Sequence, residues 1–543
     1  MADDNRIYIF DTTLRDGQQS PGAGMSFEDN LIYAQYASKL NIDVLEAGFP
    51  AASQTDFEIV RAISQQMADQ QSDMVIAGLC QLREAQVVKT MEALAPSIKA
   101  RKARVHTYVP VDPNLMQASL GKLADDKQQI IHDLYRLIKM ATDGGFEVEF
   151  SPEGYSRMGL NFDFVTDLIR AAVSAGAGII NCPDTIGGAS RYEGEHYFVK
   201  KMQQHADIIS KEFPQHKVIW SAHCHNDFGL ALENSITAAF DGPVRQIEGC
   251  MNGVGERAGN VSLEQCIMYI KSFGEKANPA QPYYTNIDIT HLQEASNFIA
   301  QNMLPRQPHT PITGENAARH TSGGHTNAVL KNPLAYQPFD PASIGSNISF
   351  VFGPLSGGNH AKRTIEAHGY KCDESEKAVI AQAIKDRYAD RRKGITDFEL
   401  IEAYRYFRSP IKVKAINYAR TDTDHAHLTL IGHFFGQENI SIEHKGGNSV
   451  LAGLVDAIRA HYDINIIDYS SQSDGKSAHA KCLSRITIRV AENRIYVGEA
   501  IDADIHISAL TALINAVNES YIMEFYSANV DSPEHNNFSP PSP

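Results

Sequence analysis

The stretch His223-Cys224-His225 sets two imidazoles two residues apart. On a strand, alternation turns residues i and i+2 to one face, and two histidines so placed suit a metal ion. Two unrelated polar side chains at a strand end would look the same in sequence. Asn226-Asp227 follow directly and stand in place to orient such ligands. Near the start, Asp11-Thr12-Thr13-Leu14-Arg15-Asp16-Gly17 puts a guanidinium beside a carboxylate. The Asp16 carboxylate is a metal-ligand type, and Arg15 suits a developing oxyanion, although such pairs also serve as ordinary ion pairs. In Asn252-Gly253-Val254-Gly255-Glu256-Arg257-Ala258-Gly259-Asn260, three glycines suit a tight loop near a ligand. Glu256 there is an acid/base candidate and Asn260 a neutral oxygen ligand; a helix-entry turn with solvated charges is the alternative. One carboxylate, two imidazoles and one amide form a mixed N/O set suited to Mg²⁺, Mn²⁺ or Zn²⁺ with open positions.

These groups need a scaffold that brings distant segments to one rim. Up to residue 275, short β-rich runs alternate with helical patterns. The expected strands are residues 7–10, 44–48, 74–79, 104–109, 148–150, 178–181, 218–223 and 246–249. Several are continuous apolar runs, as parallel strands buried on both faces require. Eight such units predict an α/β fold, a TIM (β/α)8 barrel, with a doubly wound open sheet as the alternative. In a barrel, the three segments above follow strands one, seven and eight, at the C-terminal ends where active groups sit.

Residues 276–405 read as a helical connector with glycine- and histidine-rich loops and no core of its own. Residues 406–522 repeat a strand–strand–loop–helix pattern at an offset of about 59 residues, pairing Leu451 with Leu510, Leu454 with Leu513, Val455 with Ile514 and Ile458 with Val517. This duplicated α+β unit suits a regulatory domain or a dimerisation domain. The Pro-rich tail, residues 523–543, reads as disordered.

A chain of 543 residues with 43% hydrophobic content can bury two or three cores. Its net charge of −16 argues against nucleic acid or an anionic membrane as partner. Seven scattered cysteines without a CxxC pair argue against a disulfide framework. With a polar N-terminus and no membrane-spanning run, a cytoplasmic protein is expected.

The segments at residues 11–17, 223–227 and 255–260, in order and after the expected strands, resemble the signature of the 2-isopropylmalate, homocitrate and citramalate synthases, of the DRE-TIM metallolyase type. Val44-Leu45-Glu46-Ala47-Gly48-Phe49-Pro50, the loop at residues 320–332 and the duplicated C-terminal module extend the resemblance over nearly the whole chain. The resemblance implies condensation of acetyl-CoA with a 2-oxo acid bound to a divalent metal. It implies Asp16, His223 and His225 as ligands with Asn260 at or near the metal, Arg15 on the enolate or alkoxide oxygen, and Thr185 on the substrate carboxylate. Taken alone, Thr185 in Cys182-Pro183-Asp184-Thr185 is ordinary turn chemistry. Glu256 would pair with His325 of a neighbouring subunit to deprotonate acetyl-CoA, implying at least a homodimer, and the C-terminal module would bind an effector such as leucine. Two departures stand out. Gly324-His325-Thr326-Asn327 replaces the family's Gly-His-Gln-Asp-type run, and residues 446–450 lack its Gly-Asn-Gly-Pro pattern.

The 2-oxo acid is the open choice. Glu149, expected at the end of strand five and facing the substrate's far end, would repel the second carboxylate of 2-oxoglutarate. That favours 3-methyl-2-oxobutanoate, with pyruvate next. A paralogue that has lost turnover and only binds an effector is the reading from another class; intact Arg15, Asp16, His223, His225 and Asn260 count against it.

Overall fold

Eight parallel strands form where the apolar runs lie: β1 (Tyr8–Asp11), β2 (Val44–Glu46), β3 (Val75–Gln81), β4 (Ala103–Pro110), β5 (Glu147–Glu153), β6 (Ile179–Asp184), β7 (Ile219–Cys224) and β8 (Val244–Gly249). They close in sequence order into a barrel, with β8 pairing back to β1. The open-sheet alternative is thereby excluded. The computed structural model describes residues 5–99, 102–391, 393–420, 425–445, 449–474 and 480–528.

Alternate strand residues divide the work. Ile9, Leu45, Ile76, Val105, Phe150, Ile180, Trp220 and Ile247 join the large apolar cluster shared with the surrounding helices. The helix Phe162–Ser174, for example, buries Val165, Leu168, Ile169 and Ala172, one face at helical spacing. Ser26 and Ser53 begin their helices by accepting the N–H of Asp29 and Asp56, caps worth about 1 kcal/mol each.

The other strand face is largely polar, around one small apolar cluster of Phe10, Val44 and Ala77. Arg104 donates to Glu149 and Gln246, Gln246 to Ser221, and Ser221 to Glu248. Asn181 links Glu248 to Ser151, which meets His106, which meets Glu46. A continuous hydrogen-bonded column therefore runs through the barrel.

The described chain divides into two compact units: residues up to 318 with 337–348, and residues 319–336 with those from 349 onward. The first extends past residue 275 because the helix Leu292–Asn302 sends Leu292, Ala295 and Ile299 into the barrel's cluster. In the second, β9 (Arg319–His320) and β10 (Ser349–Phe350) form a short parallel pair. The helices Gly358–Ala367, Lys377–Arg387 and Asp397–Arg408 share a core that includes Ile365, Ile380, Ile384, Leu400 and Tyr404. This stretch, expected to be a coreless connector, has a core of its own.

The C-terminal repeat has three strands per copy instead of the expected two. β11 (Ile411–Arg420), β12 (His425–Phe434) and β13 (Gln437–Lys445) precede the helix Val450–Arg459; β14 (Asn465–Asp474), β15 (Lys481–Arg489) and β16 (Ile495–Asp502) precede the helix Ile505–Tyr526. The matched residues Leu454, Ile458, Leu513 and Val517 meet in one core. The last helix runs four residues into the expected tail. Residues 1–4, 446–448 and 529–543, on which the calls for a polar N-terminus, an altered loop and a disordered tail partly or wholly rest, lie outside the described residues. All seven cysteines are free. Among the described residues, no helix is long and apolar enough to cross a membrane.

Candidate active site

β7 delivers His223 and, one residue beyond its end, His225, both buried. Their Nε2 atoms face each other at 3.4 Å, and Asp16 Oδ2 from the loop after β1 lies 3.8 Å from His223 Nε2. One ligand atom from each of the three residues falls within a sphere of mutual distances under 4.8 Å. Asn260 arrives from the loop after β8. Its amide nitrogen donates to Asp16 Oδ1 at 2.7 Å, while its Oδ1 is buried with no hydrogen-bond partner.

Burial lowers both imidazoles to about 4, so they are neutral at pH 7, the form that binds metals. Burial, the largest single effect, opposes the Asp16 carboxylate, but Arg15, the two imidazoles and the Asn260 amide together outweigh it and bring the carboxyl to about 2. Two lone-pair nitrogens turned on each other, an ionised carboxylate and an orphaned amide oxygen fit a divalent cation. The 3.4 Å spacing matches two nitrogens each about 2.1 Å from a common ion. His223 Nδ1, on the opposite ring edge, lies 3.4 Å from Glu248 Oε2.

Arg15 is held from two sides. Its Nε donates to Glu46 Oε2 and its Nη1 to Asp16 Oδ2, each at 2.5 Å. Glu46 also meets His106 Nδ1 at 2.7 Å. Burial, the largest single effect, works against both Arg15 and Glu46, but Glu46 and Asp16 together push the guanidinium further up, and Arg15 with His106 and Thr12 holds the Glu46 carboxyl far below its usual range.

These groups open onto a cavity of about 170 Å³ at the barrel mouth. Arg15, Asp16, Thr185, His223, His225 and Glu256 all line it. Asn260 lies just behind, against Asp16. The lining also includes His106, Ser151, Glu153 and Asn181, which the sequence did not single out, with Phe49 and Leu79 as an apolar wall. Burial raises the Glu153 carboxyl, against the pull of Arg15. One signal was available for Glu46: a charged residue inside the otherwise apolar run Val44-Leu45-Glu46-Ala47, and buried charges are nearly always paired.

Glu149 is a correction. β5 continues to Glu153, so Glu149 lies inside the barrel, fully buried, and does not line the cavity. It accepts from Arg104 at 2.9 Å and Gln246 at 2.9 Å, and burial, reinforced by Glu248, drives its carboxyl well above the usual range. Engaged by Arg104 and Gln246 inside the barrel and away from the cavity, it has no route to repel a substrate carboxylate. The strand face was right and the height along the strand was wrong. His325 lies in the second unit, on the helix Gly323–Lys331, with its ring stacked on Tyr336 at 3.9 Å. It is not among the residues lining the barrel cavity.

Three family models match the chain. One, described as HMGL-like, covers residues 6–299; one, described as homocitrate synthase post-HMGL domain-like, covers residues 312–393; and one, described as LeuA allosteric (dimerisation) domain, covers residues 396–521. The chain is 32% identical to a 2-isopropylmalate synthase of Neisseria meningitidis serogroup B, over 97% of this chain and 98% of that protein. Similar proteins of the same name occur in Prochlorococcus marinus, at 33% identity over 96% of this chain and 95% of that one, and in Caulobacter vibrioides, at 31% over 95% of each.

Proposed function

This chain belongs to the 2-isopropylmalate synthase family, and from that premise we propose that it condenses acetyl-CoA with 3-methyl-2-oxobutanoate, with water, to give 2-isopropylmalate and CoA. The carrying observation is the full-length match to synthases of that name, joined to a metal-ligand set at the mouth of the barrel. The family is divalent-metal dependent. Asp16, His223 and His225 would hold the ion, with Asn260 Oδ1 available beside them, and the donor set would admit Mn²⁺, Mg²⁺ or Zn²⁺. The chemistry supplied there, when an ion is bound, is Lewis-acid polarisation of the 2-oxo acid's ketone.

The chain's own groups do the rest. Thr185 Oγ1 accepts the Gly154 N–H at 2.9 Å, which leaves the hydroxyl hydrogen free to donate to the substrate carboxylate. Arg15, fixed by Glu46, presents its guanidinium to the oxygen that gains charge as the enolate adds to the ketone. Glu256, paired with His325 supplied by a neighbouring subunit, takes the methyl proton of acetyl-CoA; that proton is weakly acidic, so a positioned base is required. Glu153 puts a second carboxyl on the same rim.

Substrate choice follows from the cavity wall. Its cationic side chains, Arg15 and Arg257, are both paired with carboxylates, which leaves no ready partner for the second carboxylate of 2-oxoglutarate among the described lining residues. Phe49 and Leu79 offer contact to a branched alkyl group. The kcat/KM for 3-methyl-2-oxobutanoate should exceed that for pyruvate by at least about thirtyfold, since it carries two further methyl groups and each is worth roughly 1–3 kcal/mol in an apolar pocket. It should exceed that for 2-oxoglutarate by more. A preference for pyruvate would make the chain a citramalate synthase, and one for 2-oxoglutarate would overturn the charge argument.

The C-terminal module binds leucine as an effector. At its two helix N-termini Ser449 takes the Ala452 N–H and Asp504 the His506 and Ile507 N–H groups, and the positive end of each helix dipole suits an amino acid's carboxylate. Leucine then lowers activity only by binding one global state better than another. Titrating the full chain should give saturable calorimetric binding and a several-fold fall in rate. Absence of both at millimolar leucine would remove leucine from the account.

A further inference from the structure

Among the described non-glycine residues, few take a left-handed backbone, and one of them is Arg257, with φ of 56°, in the loop that carries Glu256 and Asn260. A long side chain held in that conformation persists where its surroundings over-determine it, and such residues gather at functional sites. The surroundings here are explicit. Arg257 Nε and Nη2 donate to the two carboxylate oxygens of Asp227 at 2.9 and 3.0 Å, a bidentate fork on the loop after β7. The same Nη2 donates to the backbone oxygen of Thr185 at 2.7 Å, on the loop after β6. Thr185 in turn accepts from Gly154, on the loop after β5.

The loops are also in van der Waals contact. A Cβ at Gly187, whose φ is 59°, would fall 2.6 Å from the Asp227 nitrogen and 2.8 Å from the His225 carbonyl oxygen, so only glycine lets these segments close on each other. Asn226 N–H donates to the Gly259 oxygen at 2.9 Å, completing the seam between the loops after β7 and β8.

We propose that Arg257 is a positioning residue that clasps the loops after β6, β7 and β8 into one rim. By that clasp it sets the placement of Thr185, and so the affinity for the 2-oxo acid. The role rests on the condensing activity argued above, because Thr185 is read there as the carboxylate-binding group. Lysine cannot replace this arginine: a single ammonium has no planar fork to bind Asp227 in bidentate fashion while also reaching the Thr185 carbonyl.

The test uses the full-length protein with Arg257→Lys, Arg257→Gln, Asp227→Asn and the double variant Arg257→Gln/Asp227→Asn. Hydrogen–deuterium exchange without substrate is read first. Protection of amides in residues 184–188 and 225–229 should fall in Arg257→Gln, with the barrel strands unchanged; unchanged exchange in those loops overturns the clasp whatever the enzyme's substrate. In steady-state kinetics, the KM for the 2-oxo acid should rise about tenfold in both Arg257 variants, with the KM for acetyl-CoA moving less than twofold. The double variant should be no worse than Arg257→Gln alone, because both changes break one fork. A rise confined to the acetyl-CoA KM, or additive losses in the double variant, would mean that Arg257 acts on a ligand directly and would overturn the proposal. Absence of condensation in the unaltered protein would instead reject the proposed reaction, leaving the exchange result to decide the clasp.

Discussion

Replacing His223 with alanine should remove the divalent ion and, with it, turnover. The remaining set would be one imidazole, one carboxylate and one amide oxygen, too few strong ligands to hold an ion in an open site. Lewis-acid polarisation of a ketone is worth several kcal/mol, so kcat/KM should fall by about a thousandfold or more. The fold should survive. His223 is neutral at pH 7, so its loss strands no charge: Asp16 keeps Arg15 and Asn260, and Glu248 keeps Ser221 and Asn181. The cost in stability is that of a trimmed buried side chain, roughly 2–4 kcal/mol before any effect of the missing ion. Metal content of the purified variant, calorimetric Mn²⁺ titration and urea unfolding separate these effects. Full occupancy with full turnover in His223→Ala would reject the ligand assignment.

Arg15→Gln should cost both stability and rate, and Arg15→Lys should separate the two. Glu46 is fully buried and Asp16 nearly so. Without a cation between them, each is a buried charge with reduced compensation, a loss of about 3–5 kcal/mol. The rate should fall by roughly 10²–10³ as the oxyanion loses its donor. Lysine restores a charge but not the fork that reaches Glu46 through Nε and Asp16 through Nη1 at once. Urea midpoints for Arg15→Lys should therefore return most of the way to those of the unaltered protein while kcat stays low. A lysine variant with full activity would show that charge alone matters at this position, and the argument from geometry would fail.

The barrel was legible because parallel strands buried on both faces leave nearly unbroken apolar runs, and each of the eight expected segments overlaps an observed strand. Strand parity was legible as well: His223 and His225 do share a face, as do Glu149, Ser151 and Glu153. Height along a strand was not, because nothing in Val148-Glu149-Phe150 announces that β5 runs three residues beyond Phe150. The three-helix core escaped notice for a different reason. Each of its helices buries only a few apolar residues, such as Ile380, Ala381 and Ile384, and the core exists only when all three helices meet. β14, Asn-Ile-Ile-Asp-Tyr-Ser-Ser-Gln-Ser-Asp, lacks sustained alternation because it is an edge strand whose register is supplied by β15. His106, Ser151 and Asn181 were missed because a single polar residue within a strand looks alike whether it faces a ligand, a partner or solvent.

The column of hydrogen bonds inside the barrel restricts how such an enzyme can change its substrate over evolutionary time. His106, Ser151 and Asn181 face the cavity and are tied within the column to Glu46, which holds Arg15, and to Glu248. Exchanging any of them leaves a buried acceptor or donor unmatched, at about 1–3 kcal/mol each, a large share of a protein's net stability. Phe49 and Leu79 also face the cavity but belong to no part of the column. Leu79 is buried and Phe49 packs on the barrel's cluster, so changes of size there carry a packing cost but leave no polar group unmatched. New side-chain specificity is therefore most accessible through these two apolar positions, while recognition of the shared 2-oxo acid head is insulated from drift by the network beneath it.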